Sequence, residues 1–291
     1  MLHGRFFPEL VEVMSISTFV LGVAAALLLV LGGRLLLPRL VPPSLVRAGV
    51  MGSAGLLVWE TISLLELVNP VLLPPPTVVL SNLGLMWSVG FLQPQIIASV
   101  GRLLFACGLA VITAIPLGVL IGRFRTLSEY LEPFLDMLRM VPAPAWLPLA
   151  ILWFGLGNAP AIFIIWLGAF FPIFLNTLTA TRRADRVQVE TVLNCGGDAF
   201  DVAWEAIIPA SLPLIITGIR LGLGIGWIVL LTAELASTSI AGGLGYMMED
   251  ARSLLDASTV VSGMLVIGTL GTLLDVAIRS LERRYMRRLV P

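Results

Sequence analysis

Long apolar runs separated by short polar segments account for most of this chain. A hydrocarbon core about 30 Å thick requires about 20 mostly apolar residues per helix. Runs of that order recur at 16–37, 46–67, 96–121, 131–157, 160–180, 212–235 and 260–278. They are continuous and lack the period-two alternation of a transmembrane barrel. The pattern predicts an all-α fold, a polytopic membrane helical bundle of about six or seven spans.

The breaks between runs carry their own information. Residues 1–15 are too long and acidic for the start of a signal peptide, and no clean small-residue cleavage site follows, so 16–37 reads as a first membrane helix. Pro38, Pro42 and Pro43 with Arg34, Arg39 and Arg47 form a basic connector, which divides the chain into an added helix and connector, 1–45, and a main transmembrane domain, 46–291. Pro74, Pro75 and Pro76 fix φ and hold the chain extended ahead of a partly apolar segment, 78–95, expected to lie along the interface with Trp87 at headgroup depth. Pro142, Pro144 and Pro148 interrupt the fourth run, whose first half is expected to bend away or form a separate short helix.

Composition narrows the function. The chain is 58% hydrophobic and 12% charged, well outside the range of soluble domains. Its eighteen basic residues are all arginine, so a phosphate-cradling loop with its lysine is excluded and the chain carries no standard ATPase site. The only histidine is His3, which removes His-based triads and most zinc or haem sites. Cys107 sits in an apolar run and Cys195 in a polar loop, so neither a disulfide nor a metal site is expected. Zero net charge predicts no nucleic-acid role. Arginines cluster at 34–47, 123–125, 182–186 and 279–288, and few fall elsewhere. Seven spans with the N-terminus outside place all four clusters in the cytoplasm, together with the C-terminus.

One of these cytoplasmic segments, about 182–210, is a polar island between apolar runs. It contains Glu190, Thr191, Val192, Gly196, Gly197, Asp198, Ala199 and Phe200, and ends at Ile208-Pro209. A glutamate followed six residues later by glycine, with an aliphatic–proline pair beyond, resembles the cytoplasmic loop of ABC-transporter permeases. Further patterns resemble the nitrate/sulfonate/taurine/bicarbonate branch of binding-protein-dependent permeases: Ser99-Val-Gly-Arg102, Leu138-Arg-Met-Val-Pro142, Leu152-Trp-Phe-Gly155-Leu-Gly157, Thr217-Gly-Ile-Arg220, Ala233-Glu234 and Gly243-Leu-Gly245. The resemblance covers roughly Trp59 to Leu281; the usual Glu-Ala-Ala stands here as Glu190-Thr191-Val192, and the usual Leu-Pro as Ile208-Pro209.

That resemblance implies a type I ABC importer permease fold in which residues 190–200 form a coupling helix that docks on separate ATPase subunits. ATP and magnesium would be bound by those partners and no cofactor by this chain. It further implies a second permease copy in a homodimer, an extracytoplasmic substrate-binding protein, residence among the lipids of the cell (inner) membrane, and a small anion such as nitrate, bicarbonate, a sulfonate or taurine as cargo. Permeases of similar sequence also serve pyrimidine- or flavin-type compounds, an alternative that stays open.

Other residues carry two readings each. Trp153, Asn176, Arg220, Trp227 and Glu234 are candidates for the translocation pathway. Arg220 also has a structural reading, a pairing with Asp275, and this is favoured; Glu234 gates the outer end or caps the bundle; Asn176 and the tryptophans serve equally as packing groups. Gly218, Gly222 and Gly226 form a small-residue face that suits a close helix neighbour, inside the subunit or, slightly favoured by the resemblance, in a second copy. The acidic outer loop 237–257 is a candidate docking surface for a binding protein. A self-sufficient secondary transporter would call for inverted repeats, and a membrane enzyme for paired acids on one cavity; neither pattern is visible, and neither accounts for the polar island.

Overall fold

A computed structural model of the protein describes residues 43–69, 71–183, 186–236 and 242–289. The expected first span, 16–37, lies outside the described residues. All described elements are helical, and they fall into two compact units: residues 43–90 with 251–262, and residues 91–250 with 263–289.

In the first unit, α1 (Pro43–Leu64) and α2 (Pro76–Ser88) are joined by the proline segment. Pro76 occupies the first turn of α2, where a missing N–H costs nothing. Glu60 of α1 is buried and accepts the backbone N–H and the hydroxyl of Thr77, at 3.3 and 3.0 Å. Asn82 of α2 donates to Thr259 at 3.1 Å, and Ser262 donates to the carbonyl of Val79 at 3.2 Å. These buried polar groups are thereby matched, whereas the buried Trp59 Nε1 has no hydrogen-bond partner among the described residues.

The second unit holds the main bundle: α3 (Leu92–Arg123), α4 (Arg125–Met140), α5 (Leu147–Phe154, entered through a tight turn Ala143–Trp146), α6 (Asn158–Arg182), α7 (Arg186–Asn194) and α8 (Ile208–Ala236). Two more helices, α9 (Leu244–Ser253) and α10 (Ala257–Leu289), each contribute residues to both units. Four helical stretches are long and apolar enough to cross a membrane: Leu92–Arg123, Asn158–Arg182, Val202–Ala236 and Ala257–Ser280. The fourth run of the sequence is a pair of helices bent by 89° at Val141-Pro142, and counts as a fifth span only if the pair is taken together. The apolar part of α1, Gly49–Leu64, is shorter than these. Among the described residues the count is therefore four or five.

Why the bend falls there follows from the proline, which disfavours the helical conformation for Val141 and cannot continue the ladder of hydrogen bonds. Ahead of the bend, α4 turns Leu131 and Leu135 toward the core and leaves Tyr130, Phe134 and Met137 exposed.

Helix α6 is the centre of the unit and packs most extensively on α3 and α8. The contacts are seams of small residues. A Cβ on Gly118 would lie 2.9 Å from Thr177 Cβ, and one on Gly122 would lie 2.7 Å from Thr181 Cβ. On the other side, a Cβ on Gly222 would lie 2.8 Å from the carbonyl oxygen of Ala169, and one on Gly218 would lie 2.8 Å from Asn176 Cβ. Gly226 faces Cys107 and Leu103 of α3. The face of Gly218, Gly222 and Gly226 is thus filled within the subunit by α6 and α3, the first of its two readings and not the slightly favoured one of a second copy. In lipid, where apolar surface alone does not drive helices together, this backbone-close packing is what holds them.

Candidate functional site

The polar island forms a compact helix–turn–helix. Helix α7 ends at Asn194, and Gly196, with φ of +89°, supplies the left-handed residue that turns the chain. Gly197 then passes so close to α7 that a Cβ would lie 2.7 Å from Val192 Cγ1. Asp198 opens the next helix: its carboxylate accepts the N–H groups of Phe200 and Asp201 at 2.8 and 3.0 Å, while Asp201 reaches back to the N–H of Asp198 at 2.9 Å. This reciprocal capping box satisfies helix donors that would otherwise be unpaired. From there the chain is helical without a break, through Ala199–Asp201 and a π-helical stretch Val202–Ile207 into α8. Two acids of this segment, Asp198 and Asp201, are therefore cap residues.

The segment has two faces. Val202 and Ile207 are buried against Val119 of α3, with Val189 and Val192 of α7 packed beside them. On the opposite face, Phe200 and Trp204 stand 71% and 64% exposed with parallel rings, centroids 6.4 Å apart. Glu190 and Thr191 are exposed, and Thr191 donates to the Val187 carbonyl at 2.7 Å. Glu190 borders an open cleft with Arg123, Thr181, Arg182 and Ile207. The sequence placed Glu190, Thr191, Val192, Gly196, Gly197, Asp198, Ala199 and Phe200 together, with Trp204 as a second apolar knob, and the fold holds the two aromatic rings exposed and parallel.

At the other end of α8 lies a buried polar network that the sequence left in pieces. Glu234 is fully buried and pairs with Arg102 of α3, 7% exposed, at 2.5 Å. Ser99 donates to Glu234 at 2.8 Å and accepts the N–H of Leu244 at 2.9 Å, and the N–H of Gly245 reaches Glu234 Oε2 at 2.9 Å. Arg102 also donates to Asn158 Oδ1 at 2.9 Å and to the Gly242 carbonyl, while Gln95 accepts the N–H of Gly243 at 2.6 Å. Glycine is required at two places: Cβ atoms would lie 2.6 Å from Arg102 Nη1 at Gly243, where φ is +136°, and 2.6 Å from Glu234 Cβ at Gly245. Arg102 is therefore a buried partner of Glu234, a pairing that its place in the sequence did not suggest. A telling signal was present: two opposite charges, each inside an apolar run, where an unpaired charge costs at least about 2.5 kcal/mol.

Of the remaining pathway candidates, the fold brings Arg220 and Trp227 into one cleft with Leu103, Leu274 and Asp275. Arg220 lies 3.7 Å from Asp275, as the structural reading expected, and closer to Glu282, at 3.2 Å. Asn176 turns back on its own helix and donates to the Pro172 carbonyl at 2.8 Å. Trp153 is exposed and meets Phe163 edge-on, at 6.1 Å.

A bundle built on close helix seams, with a capped aromatic-bearing segment at one end of a membrane-length helix, is the architecture of a helical membrane protein. Residues 114–287 match the family model of the binding-protein-dependent transport system inner membrane component. Curated relatives include a putative ABC transporter permease of Methanocaldococcus jannaschii, 37% identical over 79% of this chain and 87% of its own length. The taurine transport system permease of Escherichia coli is 36% identical over 79% of this chain and 84% of its own. The bicarbonate transport system permease of Synechococcus elongatus is 32% identical over 71% of each. Among solved structures, the methionine ABC transporter in an inward-facing conformation aligns with a TM-score of 0.52 at 17% identity, covering 66% of this chain and 93% of that one, a likeness of fold. The chain belongs to the binding-protein-dependent ABC-transporter permeases.

Proposed function

We propose that this chain is the permease of an ATP-driven importer that carries a small anion, of the taurine, sulfonate, bicarbonate or nitrate type, delivered by an extracytoplasmic binding protein. The substrate class rests on the relatives named for taurine and bicarbonate. The coupling role rests on one observation above all. Phe200 and Trp204 are stacked and exposed on a segment whose other face is packed and whose start is capped, so the aromatic pair is held out rigidly, uncovered by any of the described residues.

In this reading Glu190, Thr191, Val192 and 196–200 dock on a separate ATPase chain, which binds ATP and magnesium, and two copies of the permease act together as a homodimer. Arg220 and Trp227 are the pathway candidates that share a cleft. Residues 46–291 constitute the permease domain and 1–45 an added helix and connector, with the C-terminus in the cytoplasm of a cell with this chain in its inner membrane.

The test is purification of the tagged protein from its native membrane in mild detergent. A P-loop ATPase should co-purify at about one-to-one stoichiometry and be lost when Gly196 is replaced by a bulky charged residue or when Phe200 and Trp204 are both changed to Ala. Recovery of the chain alone from several detergents would overturn the docking assignment.

A further inference from the structure

The network around Arg102 and Glu234 has no evident part in docking an ATPase, since it lies at the far end of α8 from the coupling segment. Helix α8 and its π-helical entry run unbroken from Val202 to Ala236, 35 residues or about 50 Å at 1.5 Å per residue. One rod therefore carries both features: the exposed Phe200–Trp204 pair enters it, and Glu234 closes it two residues before its last described turn ends.

We propose that Arg102 and Glu234 are positioning residues that fasten the outer segment 242–250 to α3 and α8, so that movement at the coupling segment is delivered through α8 to the outer end of the transporter. This rests on the docking reading above. Three features argue for it. First, apart from the bond from Arg102 to Asn158, the arms of the network end on the segment's backbone or on the pair itself: Arg102 on the Gly242 carbonyl, Gln95 on the Gly243 N–H, Ser99 on the Leu244 N–H and Glu234 on the Gly245 N–H. Four successive residues are held by three side chains of α3 and one of α8, which is far more than a cap needs.

Second, the fastening has no slack. The Cβ positions at Gly243 and Gly245 are already occupied by Arg102 and Glu234, so the turn cannot slide along the pair without a collision. Third, the same rod is tied to the bundle centre by the Gly218 and Gly222 contacts with α6, which admit few intermediate positions. Spatial continuity alone does not establish coupling; a measured response at both ends does.

Hydrogen exchange on the permease–ATPase complex, with and without MgATP and vanadate, supplies that measurement. In the unaltered complex, nucleotide should change exchange at 199–207 and at 242–250 together, by about tenfold for a coupling of ordinary strength. In Glu234→Gln the response at 199–207 should persist and that at 242–250 should vanish. Because that variant removes the carboxylate that faces a buried arginine, the neutral pair Arg102→Gln/Glu234→Gln is measured beside it. ATPase association retained in either variant shows that the fold survives. A 242–250 response that persists in the neutral pair overturns the proposal, as does its absence in the unaltered complex while 199–207 responds. No response at 199–207 in the unaltered complex would instead remove the docking reading, and this inference with it.

Discussion

Glycine 222 and glycine 224 sit two residues apart on α8 and make opposite demands. A methyl group on Gly222 would press on the backbone of Ala169, whereas one on Gly224 meets nothing within 4 Å. Gly222→Ala should therefore destabilise the detergent-purified protein, while Gly224→Ala should leave it unchanged or raise Tm, since alanine favours a helix over glycine by about 1 kcal/mol. Equal Tm values for the two variants would mean that the α6–α8 seam is looser than drawn. Arg102 and Glu234 make the electrostatic counterpart. Removing one partner of a buried, hydrogen-bonded pair costs about 3–5 kcal/mol, because the other charge is left without compensation, and replacing both with neutral groups costs less. Thermal unfolding should accordingly rank Glu234→Ala below Arg102→Gln/Glu234→Gln; the reverse order would contradict burial of the pair. What the sequence held back at this scale was the partnership. Ser99, Arg102, Glu234, Gly243 and Gly245 stood in three separate patterns, 132 residues apart for the pair itself, and no periodicity links residues on different helices.

Among elements, those set by local chemistry were legible and those set by neighbours were not. Pro142 placed the bend between α4 and α5 and the prolines at 74–76 placed the start of α2, and Gly196 suits the turn after α7, whereas the Asp198 cap of the coupling segment emerges only in the fold. By contrast the Gly218–Gly226 stripe announced a close neighbour without saying which helix fills it, since small residues suit any backbone. Aromatic residues posed the same difficulty: Phe174 is buried in the core while Phe200, equally apolar, stands exposed, a difference made by tertiary packing. The cap offers an element-scale test. Asp198→Ala should lower helix stability by about 1 kcal/mol, and it should weaken ATPase association by loosening the platform beneath Phe200 and Trp204. The double change Phe200→Ala/Trp204→Ala should abolish association with no loss of Tm, because both rings are exposed. A large fall in Tm for that double variant would show that the aromatic pair supports the fold and is not held out for a partner. At the start of α10, burial pushes the Asp256 carboxyl up, but hydrogen bonds from Ser258 and Thr259 outweigh it and hold the group below its ordinary value. A depressed carboxyl contributes stability above its unfolded pKa and loses it as pH falls through the folded one. The α10 start should therefore loosen only in acid, and exchange of the Thr259 amide against pH would follow it.

Across the whole molecule the arginine distribution and the helices after the coupling segment make one statement about sidedness. Two membrane-length helices, Val202–Ala236 and Ala257–Ser280, follow the loop, so the chain crosses and returns, and the arginine-rich C-terminal stretch is expected on the same side as α7. That parity does not depend on whether 16–37 spans the membrane, or on whether the bent α4–α5 pair counts as a crossing. The protein carries its own probes for the test, because Cys195 is exposed in the turn after α7 and Cys107 is buried in the bundle. A membrane-impermeant maleimide applied to intact cells, or to spheroplasts of an enveloped host, should leave the protein unlabelled. In inverted vesicles it should modify one thiol, and Cys195→Ser should remove that signal. A reporter fused at the C-terminus should be silent outside and active inside in the same preparations. Labelling of Cys195 from outside would reverse the arrangement, put the stacked Phe200 and Trp204 beyond the reach of any cytoplasmic ATPase, and leave the coupling reading without a partner. Labelling only from inside, with the reporter in agreement, gives α8 its direction: Ala199–Asp201 at the cytoplasmic face and Glu234 toward the face where a binding protein would arrive.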